Sequence, residues 1–248
     1  RLLTKIADAD IQNLKYFRVT HGTIAGVPVD ISRTGYTGDL GYEVWVSWND
    51  AVKVWDAIMV GGREFDVKPA GMLALDVARV EAGLVLIEVD YISSKKALIP
   101  SQKYSPFELN FGRLVNLEKE HFIGRAALVA EQRAGGPPRR LVGLEIDWTE
   151  VERIYEKFDL APQAPSTASR VAVPVASGAA QVGKATTTTW SPTLKKMIAL
   201  ASIQAEYARP GARLQMEYTV EAIRHQVSAT VVTLPFFNPP RKTATPIT

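Results

Sequence analysis

The sequence predicts an α+β fold in which helices pack on an antiparallel sheet and a small all-β barrel follows. Two patterns predict the first part. Apolar and polar residues alternate over residues 27–32 and 42–48, and apolar residues recur at helical spacing over residues 49–59 and 70–82. Beyond residue 140 the pattern changes to short β-prone segments separated by Gly, Pro and Ser, which is typical of a barrel.

The composition indicates a globular protein. The chain has 248 residues, is 46% hydrophobic and 22% charged, and contains no apolar run long enough to cross a bilayer. It has no cysteine, which excludes disulfides and thiolate chemistry within these residues, and its three histidines lack metal-ligand spacing. The net charge of +3 suits an anionic small ligand better than nucleic acid. We expect a cytoplasmic protein with neither a nucleic-acid nor a membrane partner.

A glycine-rich stretch, SRTGYTGDLGYE at residues 32–43, joins the two strands of a predicted hairpin. Its glycines recur at every third position and allow a tight turn or the close approach of a ligand. Because strand side chains alternate between faces, Glu43 and Trp45 are predicted on one face and Trp48 on the other. A carboxylate beside an indole suits a flat polar ligand, and the alternative is an edge hairpin with a solvated Glu.

Two helices should follow the hairpin. The first covers residues 49–59, where Asn49 can cap the start and the Gly61-Gly62 pair can end the helix. The second covers residues 70–82 after Pro69, which is favourable in a first helical turn, and it should end at Gly83. Its inward residues should be Leu73, Val77, Val80 and Leu84.

Arg79 of the second helix has two interpretations. It is either an exposed residue paired with Asp76 three positions earlier, or a guanidinium that forks onto a ligand carboxylate or polar ring edge. Arg209 also has two interpretations. It lies in a Pro-Gly turn at residues 207–211 and is either an ordinary surface residue or one that reaches across to the first domain.

In the rest of the first part of the chain, Gly and Pro residues mark the expected ends of helices, strands and loops. Residues 85–105 should be mostly loop, residues 109–117 a strand and residues 123–132 a helix. The stretch GGPPRR has no periodicity and should be a linker. We therefore divide the chain into a first domain, a linker, a barrel and a tail, at residues 1–134, 135–140, 141–240 and 241–248.

Six short segments of the barrel are β candidates. They are residues 141–146, 171–175, 181–186, 198–204, 214–220 and 227–234. An insertion at residues 148–169 should contain a helix over residues 150–158 and serve an oligomer contact or cover a ligand. The threonine run at residues 186–189 should be structural.

The glycine-rich stretch and five further motifs follow one another over nearly the whole chain. The further motifs are RVEAGL at residues 79–84, FIGRAAL at 122–128, SPTLKKMIAL at 191–200, RPG at 209–211 and LPFF at 234–237. In this order they resemble the motifs of the aminomethyltransferase family, which comprises the tetrahydrofolate-binding T protein of the glycine cleavage system and its relatives, and the glycine-rich stretch resembles the family signature.

The resemblance implies a one-carbon transfer, methyl or aminomethyl, from a small donor to tetrahydrofolate. It implies a folate-binding domain before the barrel, with Glu43 accepting two donors of the pterin edge. Trp45 would line the ring, with Tyr36 a weaker candidate, and Arg79 and Arg209 would meet the polar or carboxylate end. A lipoyl carrier protein is a possible partner.

The family's catalytic Asp lies in an N-terminal half. Because the chain opens at Arg1 without Met and resembles the family from partway along, we expect that part to be missing, cleaved or on another chain. No catalytic residue is therefore assigned.

Three functional alternatives stay open. The first is a folate-dependent methyl- or aminomethyltransferase, either the T protein or a demethylase that acts on a sulfonium, amine or methoxy donor. The unmatched residues 91–105 and the insertion favour a demethylase-like or uncharacterised branch over the T protein itself. A second alternative is the folate module of a flavin-dependent amine oxidase or dehydrogenase. The third, a non-enzymatic Fe–S assembly factor, ranks last because its Lys-Gly-Cys-Tyr-type motif needs a cysteine.

Overall fold

The computed structural model describes residues 1–244 and divides into two compact units. The first contains Arg1–Ala82 together with the C-terminal segment that begins at Phe237, and the second contains Gly83–Phe236. The linker predicted at residues 135–140 lies within the second unit, and the domain boundary placed there stays a prediction. No helix of residues 1–244 has the length and apolar character needed to span a membrane.

The first unit is a four-stranded antiparallel sheet with three helices. Its strands are ordered β1-β2-β3-β4. The elements are α1 (Leu2–Ile6), β1 (Ala7–Asp8), β2 (Val19–Ile24), β3 (Val27–Ser32), β4 (Glu43–Trp45), α2 (Ala51–Gly62) and α3 (Met72–Glu81).

The predicted hairpin is present as the pair β3 and β4. The inward residues of β3 pack with Val54 of α2 in the core of this unit, while Pro28 and Asp30 face solvent. The prediction that Trp48 continues the strand is wrong. β4 ends at Trp45, and Trp48 starts a 3-10 turn in which it is 85% exposed.

Helix α2 extends beyond its predicted end. It begins at Ala51 and passes through Gly61 and Gly62, so the prediction that this pair ends the helix is wrong. A Cβ on Gly61 would lie 2.6 Å from Ile6, and one on Gly62 would lie 2.8 Å from Val67. These glycines therefore allow close packing and do not stop the helix. Asn49 lies in the preceding 3-10 turn and does not cap α2.

Helix α3 buries only part of the predicted face: Val80 is buried as predicted, but Leu73 is not. It begins at Met72, so Pro69 precedes it, and Leu73 is 63% exposed. The residues it buries include Asp76, Arg79 and Val80. Two charged groups can lie in the interior because they pair with each other.

The second unit begins with loops and one helix. The strand predicted at residues 109–117 is wrong, because this segment forms turns. The Phe111 N–H donates to the Pro106 carbonyl (2.8 Å), and Asn110 has a φ of 61°. The Asn110 side chain donates to the Leu141 carbonyl (2.7 Å), which fixes the turn. Helix α4 (Arg125–Arg133) follows Gly124 as predicted.

The remainder of the second unit is a closed six-stranded barrel, and all six β candidates are confirmed. The strand order is β10-β5-β8-β7-β6-β9. The strands are β5 (Arg139–Ile146), β6 (Val173–Ser177), β7 (Ala180–Ser191), β8 (Lys196–Gln204), β9 (Arg213–Val220) and β10 (Ile223–Val232).

The predicted insertion helix is α5 (Trp148–Glu156), which starts two residues earlier than expected. Asp147 caps it by accepting from the Thr149 N–H at 3.0 Å. Val151 and Ile154 of α5 lie in the barrel's hydrophobic core. The helix thus completes the core. Of the predicted tail, residues 245–248 lie outside the described part of the chain.

Candidate ligand-binding site

The predicted site residues Glu43 and Trp45 lie on the solvent-facing side of the first unit's sheet. In the β3–β4 pair, Ser32 is opposite Glu43 and Asp30 is opposite Trp45. The intervening Val44 packs towards the core, so the two-residue strand period turns its neighbours outward. Glu43 is half-buried and Trp45 is 63% exposed. The structure therefore places a carboxylate and an indole side by side, as predicted.

Two hydroxyl groups hold the Glu43 carboxylate. Thr34 Oγ1 donates to Glu43 Oε2 at 2.7 Å, and Ser32 Oγ lies 3.3 Å from the same oxygen. The two hydroxyl oxygens are 2.7 Å apart. Within residues 1–244, no group donates to Oε1, so that oxygen is available to a ligand.

The glycine-rich loop packs against the end of α3 at Gly38. This residue has a φ of +73°, and a Cβ on it would lie 2.4 Å from the Cβ of Ala82. Both the backbone conformation and the close approach require glycine here. Tyr36, the weaker ligand candidate, is half-buried in the same loop and has interactions of its own.

Two arginines fasten this loop to other parts of the first unit. Arg33 is 1% exposed and donates to the Leu14 carbonyl (3.1 Å) and to the Ala244 carbonyl. Arg241 donates to both carboxylate oxygens of Asp39, with Nε–Oδ1 and Nη2–Oδ2 distances of 2.7 and 2.5 Å. These bonds lower the pKa of the Asp39 carboxyl below its usual value.

Arg79 pairs with Asp76, as one interpretation held, but the pair is buried. The distance from Arg79 Nε to Asp76 Oδ1 is 2.8 Å, and the exposed fractions of the two side chains are 0% and 4%. Its role towards a ligand stays a prediction. Arg209 is exposed in a turn of the second unit, where the Ala212 N–H donates to its carbonyl at 3.0 Å. Because it belongs to the other unit, its part in a shared site also stays a prediction.

Other polar side chains bond to one another within the protein. In the threonine run, which was expected to be structural, the hydroxyls of Thr186 and Thr187 donate to Asp90 Oδ1 at 2.6 and 2.7 Å in the interior. His21 Nδ1 lies 2.5 Å from Asp30 Oδ1 as an exposed cross-strand pair. Among the described residues, no three His, Asp or Glu side chains are placed to hold a metal ion.

Comparisons with known proteins decide the family. Residues 1–119 match the family described as GCVT N-terminal domain, and residues 139–238 match the Glycine cleavage T-protein C-terminal barrel domain. An aminomethyltransferase from Bacillus cytotoxicus is 33% identical over 238 residues, and one from Geobacillus thermodenitrificans is 37% identical over 240 residues. The chain belongs to the aminomethyltransferase family.

The chain aligns over most of its own length with a little over half of these aminomethyltransferases. The two alignments cover 95% and 96% of this chain and 57% of each relative. A solved structure, the glycine cleavage system aminomethyltransferase T from Bartonella henselae, has a TM-score of 0.66 and 21% identity. The match covers 85% of this chain and 50% of that one, and at this identity it supports the fold alone.

Family membership confirms the resemblance and the fold class, an aminomethyltransferase-like domain followed by a barrel. The flavin-enzyme and Fe–S alternatives gain no support from these relatives. Sequence analysis missed Ser32 and Thr34, although strand alternation places Ser32 on the Glu43 face. It also missed Arg241, for which no local pattern gave a signal.

Proposed function

We propose that this chain forms the folate-binding part of an enzyme that transfers a one-carbon unit from a small donor to tetrahydrofolate. One observation supports the proposal within this family. The Glu43 carboxylate is held by hydroxyls with Oε1 available, beside the exposed indole of Trp45 on the same sheet face.

The residues present fit a pterin. Its edge offers a ring N–H and an amino group, which are two parallel donors, and a carboxylate accepts such a pair in a fork. Each carboxylate oxygen has two acceptor positions. The bond from Thr34 therefore leaves one position on Oε2 and both on Oε1. The flat indole of Trp45 offers a surface for a flat ring next to this fork.

The described residues act by binding and orientation. When bound, tetrahydrofolate supplies the N5 atom that accepts the one-carbon unit. Glu43 and Trp45 would fix the plane of the ring, and exposed Arg209 would form a charge-assisted hydrogen bond with the ligand's anionic end. Arg79 would contribute at the polar end beside Asp76. Such orientation can supply a large part of a rate enhancement.

The donor is proposed from the relatives. They are named aminomethyltransferases, which favours an aminomethyl group, and we propose that a lipoyl carrier protein presents it. A methyl donor is the second candidate, because residues 91–105 depart from the motifs of the glycine cleavage protein. Turnover assays of the complete protein with each class of donor would distinguish the two.

The proposal is tested by calorimetric titration of tetrahydrofolate into the complete protein. Replacing Glu43 with Ala removes a charged acceptor worth about 1.5–3 kcal/mol, so affinity should fall roughly 10- to 100-fold. Glu120→Gln is the matched control, because the Glu120 side chain is 91% exposed and lies far along the chain in the second unit. Equal affinities for the wild type and Glu43→Ala would refute the site.

A further inference from the structure

The three contacts among Ser32, Thr34 and Glu43 share only two hydroxyl protons. Three oxygen–oxygen distances link Ser32, Thr34 and Glu43, at 2.7, 2.7 and 3.3 Å. Each hydroxyl carries a single proton, and an ionised carboxylate only accepts. Both 2.7 Å contacts receive a proton in one arrangement alone: Ser32 donates to Thr34, and Thr34 donates to Glu43 Oε2. The 3.3 Å contact is then secondary.

We propose that Thr34, and Ser32 through it, are positioning residues that set the orientation of the Glu43 carboxylate for its ligand. This inference rests on the proposed function and deepens it. The terminal torsion of a Glu side chain is broad, so an unheld carboxylate would sample many orientations. A bond to Oε2 alone fixes the plane of the carboxylate and leaves Oε1 facing away from the hydroxyls.

The surrounding backbone keeps the two hydroxyls in place. Ser32 is 5% exposed and lies opposite Glu43 in the β3–β4 register. Between Ser32 and Thr34 lies the buried Arg33, whose guanidinium bonds to backbone carbonyls. The hydroxyls of Ser32 and Thr34 are therefore held at the end of strand β3 and are not mobile surface groups.

Hydroxyls hold the carboxylate without neutralising it. No Lys, Arg or His of residues 1–244 pairs with Glu43. A cation at the same place would compete with the ligand's donors for the carboxylate, whereas neutral donors leave the full negative charge for them. The arrangement suits a neutral heterocycle with two adjacent N–H donors, which is the chemistry the site would select.

The first test is calorimetric titration of tetrahydrofolate into the complete protein and its Thr34 variants. Thr34→Val keeps the shape but removes the hydroxyl, so the Glu43 carboxylate must be ordered when the ligand binds and affinity should fall roughly 3- to 10-fold. Thr34→Ser restores the donor and should bind within about twofold of wild type. In a Glu43→Ala background, Thr34→Val should have no further effect, which a merely structural role would not predict.

A second measurement needs no ligand. In protein with ¹³C-labelled glutamate, the carboxyl NMR signal of Glu43 should shift in Thr34→Val and return to the wild-type position in Thr34→Ser. If Thr34→Val fails to fold, Ser32→Ala takes its place, because it removes the proton that Thr34 accepts. A Glu43 signal unchanged by removal of the hydroxyl overturns the positioning role, even if folate binds. If the Glu43 signal shifts in the variant but the protein binds no folate, the hydrogen bonds from Ser32 through Thr34 to Glu43 are supported and the proposed function is refuted.

Discussion

Removing Asp76 should destabilise the first unit strongly, because it would take an anionic partner away from a buried guanidinium. The Arg79 side chain is 0% exposed and Asp76 is 4% exposed, with 2.8 Å between Nε and Oδ1. Breaking a buried pair by deleting one partner costs about 3–5 kcal/mol. For a unit of roughly 90–100 residues, with an unfolding entropy of about 2.1 cal/mol/K per residue, this lowers the Tm by roughly 15–25 °C.

The assay is urea denaturation combined with differential scanning calorimetry of Asp76→Ala, with two comparison variants. Glu64→Gln breaks an ion pair of the same unit in which both side chains are about half exposed, and it should cost less than about 1 kcal/mol. The double variant Asp76→Ala/Arg79→Met removes both charges and should recover much of the loss. The reasoning fails if Asp76→Ala costs no more than Glu64→Gln, or if the double variant is less stable than Asp76→Ala.

Two further predictions concern the glycine-rich loop. Gly38→Ala should cost roughly 1–3 kcal/mol more than Gly26→Ala in urea denaturation, because both have φ near +75° but only Gly38 has a neighbour, at 2.4 Å. Equal costs would show that packing on Ala82 is unimportant. The pKa of the Asp39 carboxyl is lowered in the folded protein, so the Asp39–Arg241 pair should stabilise the fold at pH values above 3.8, the usual pKa of this group. This stabilisation should be lost as the pH falls below 3.8 and through the lowered pKa. The stability difference between wild type and Asp39→Asn should therefore shrink from pH 6 to pH 2, and a constant difference would contradict the assignment.

Local periodicity predicted most of the regular structure. The six barrel strands follow from β-prone segments separated by Gly, Pro and Ser, and the side-by-side placement of Glu43 and Trp45 follows from a period of two. Neither pattern needs knowledge of distant residues. The helix α3 shows the limit. Its apolar spacing predicted an inward Leu73, but which helix face is covered depends on the rest of the fold, and here the covered face carries Asp76 and Arg79.

Contacts between distant parts of the chain were not predictable. Arg241 bonds to Asp39 across 202 positions, and no repeat or spacing links them. The strand predicted at residues 109–117 failed for a similar reason, because the Asn110 side chain bonds to Leu141 and holds the segment in a turn. The hydroxyls around Glu43 required the β3–β4 register, which alternation suggests but does not fix.

The first unit is discontinuous in sequence, and this has a consequence for synthesis on the ribosome. Residues 1–82 emerge before about 150 residues of the second unit, and the segment from Phe237 emerges after them. At roughly 5–20 residues per second, the delay is about 10–30 s. During that time the Arg33 guanidinium lacks the carbonyl of Ala244. The contiguous barrel can therefore fold before the segment from Phe237 has emerged, and the loop that carries Ser32 and Thr34 is fastened after the barrel has been made. A nascent chain halted before Phe237 should accordingly show a protected barrel and a protease-sensitive glycine-rich loop.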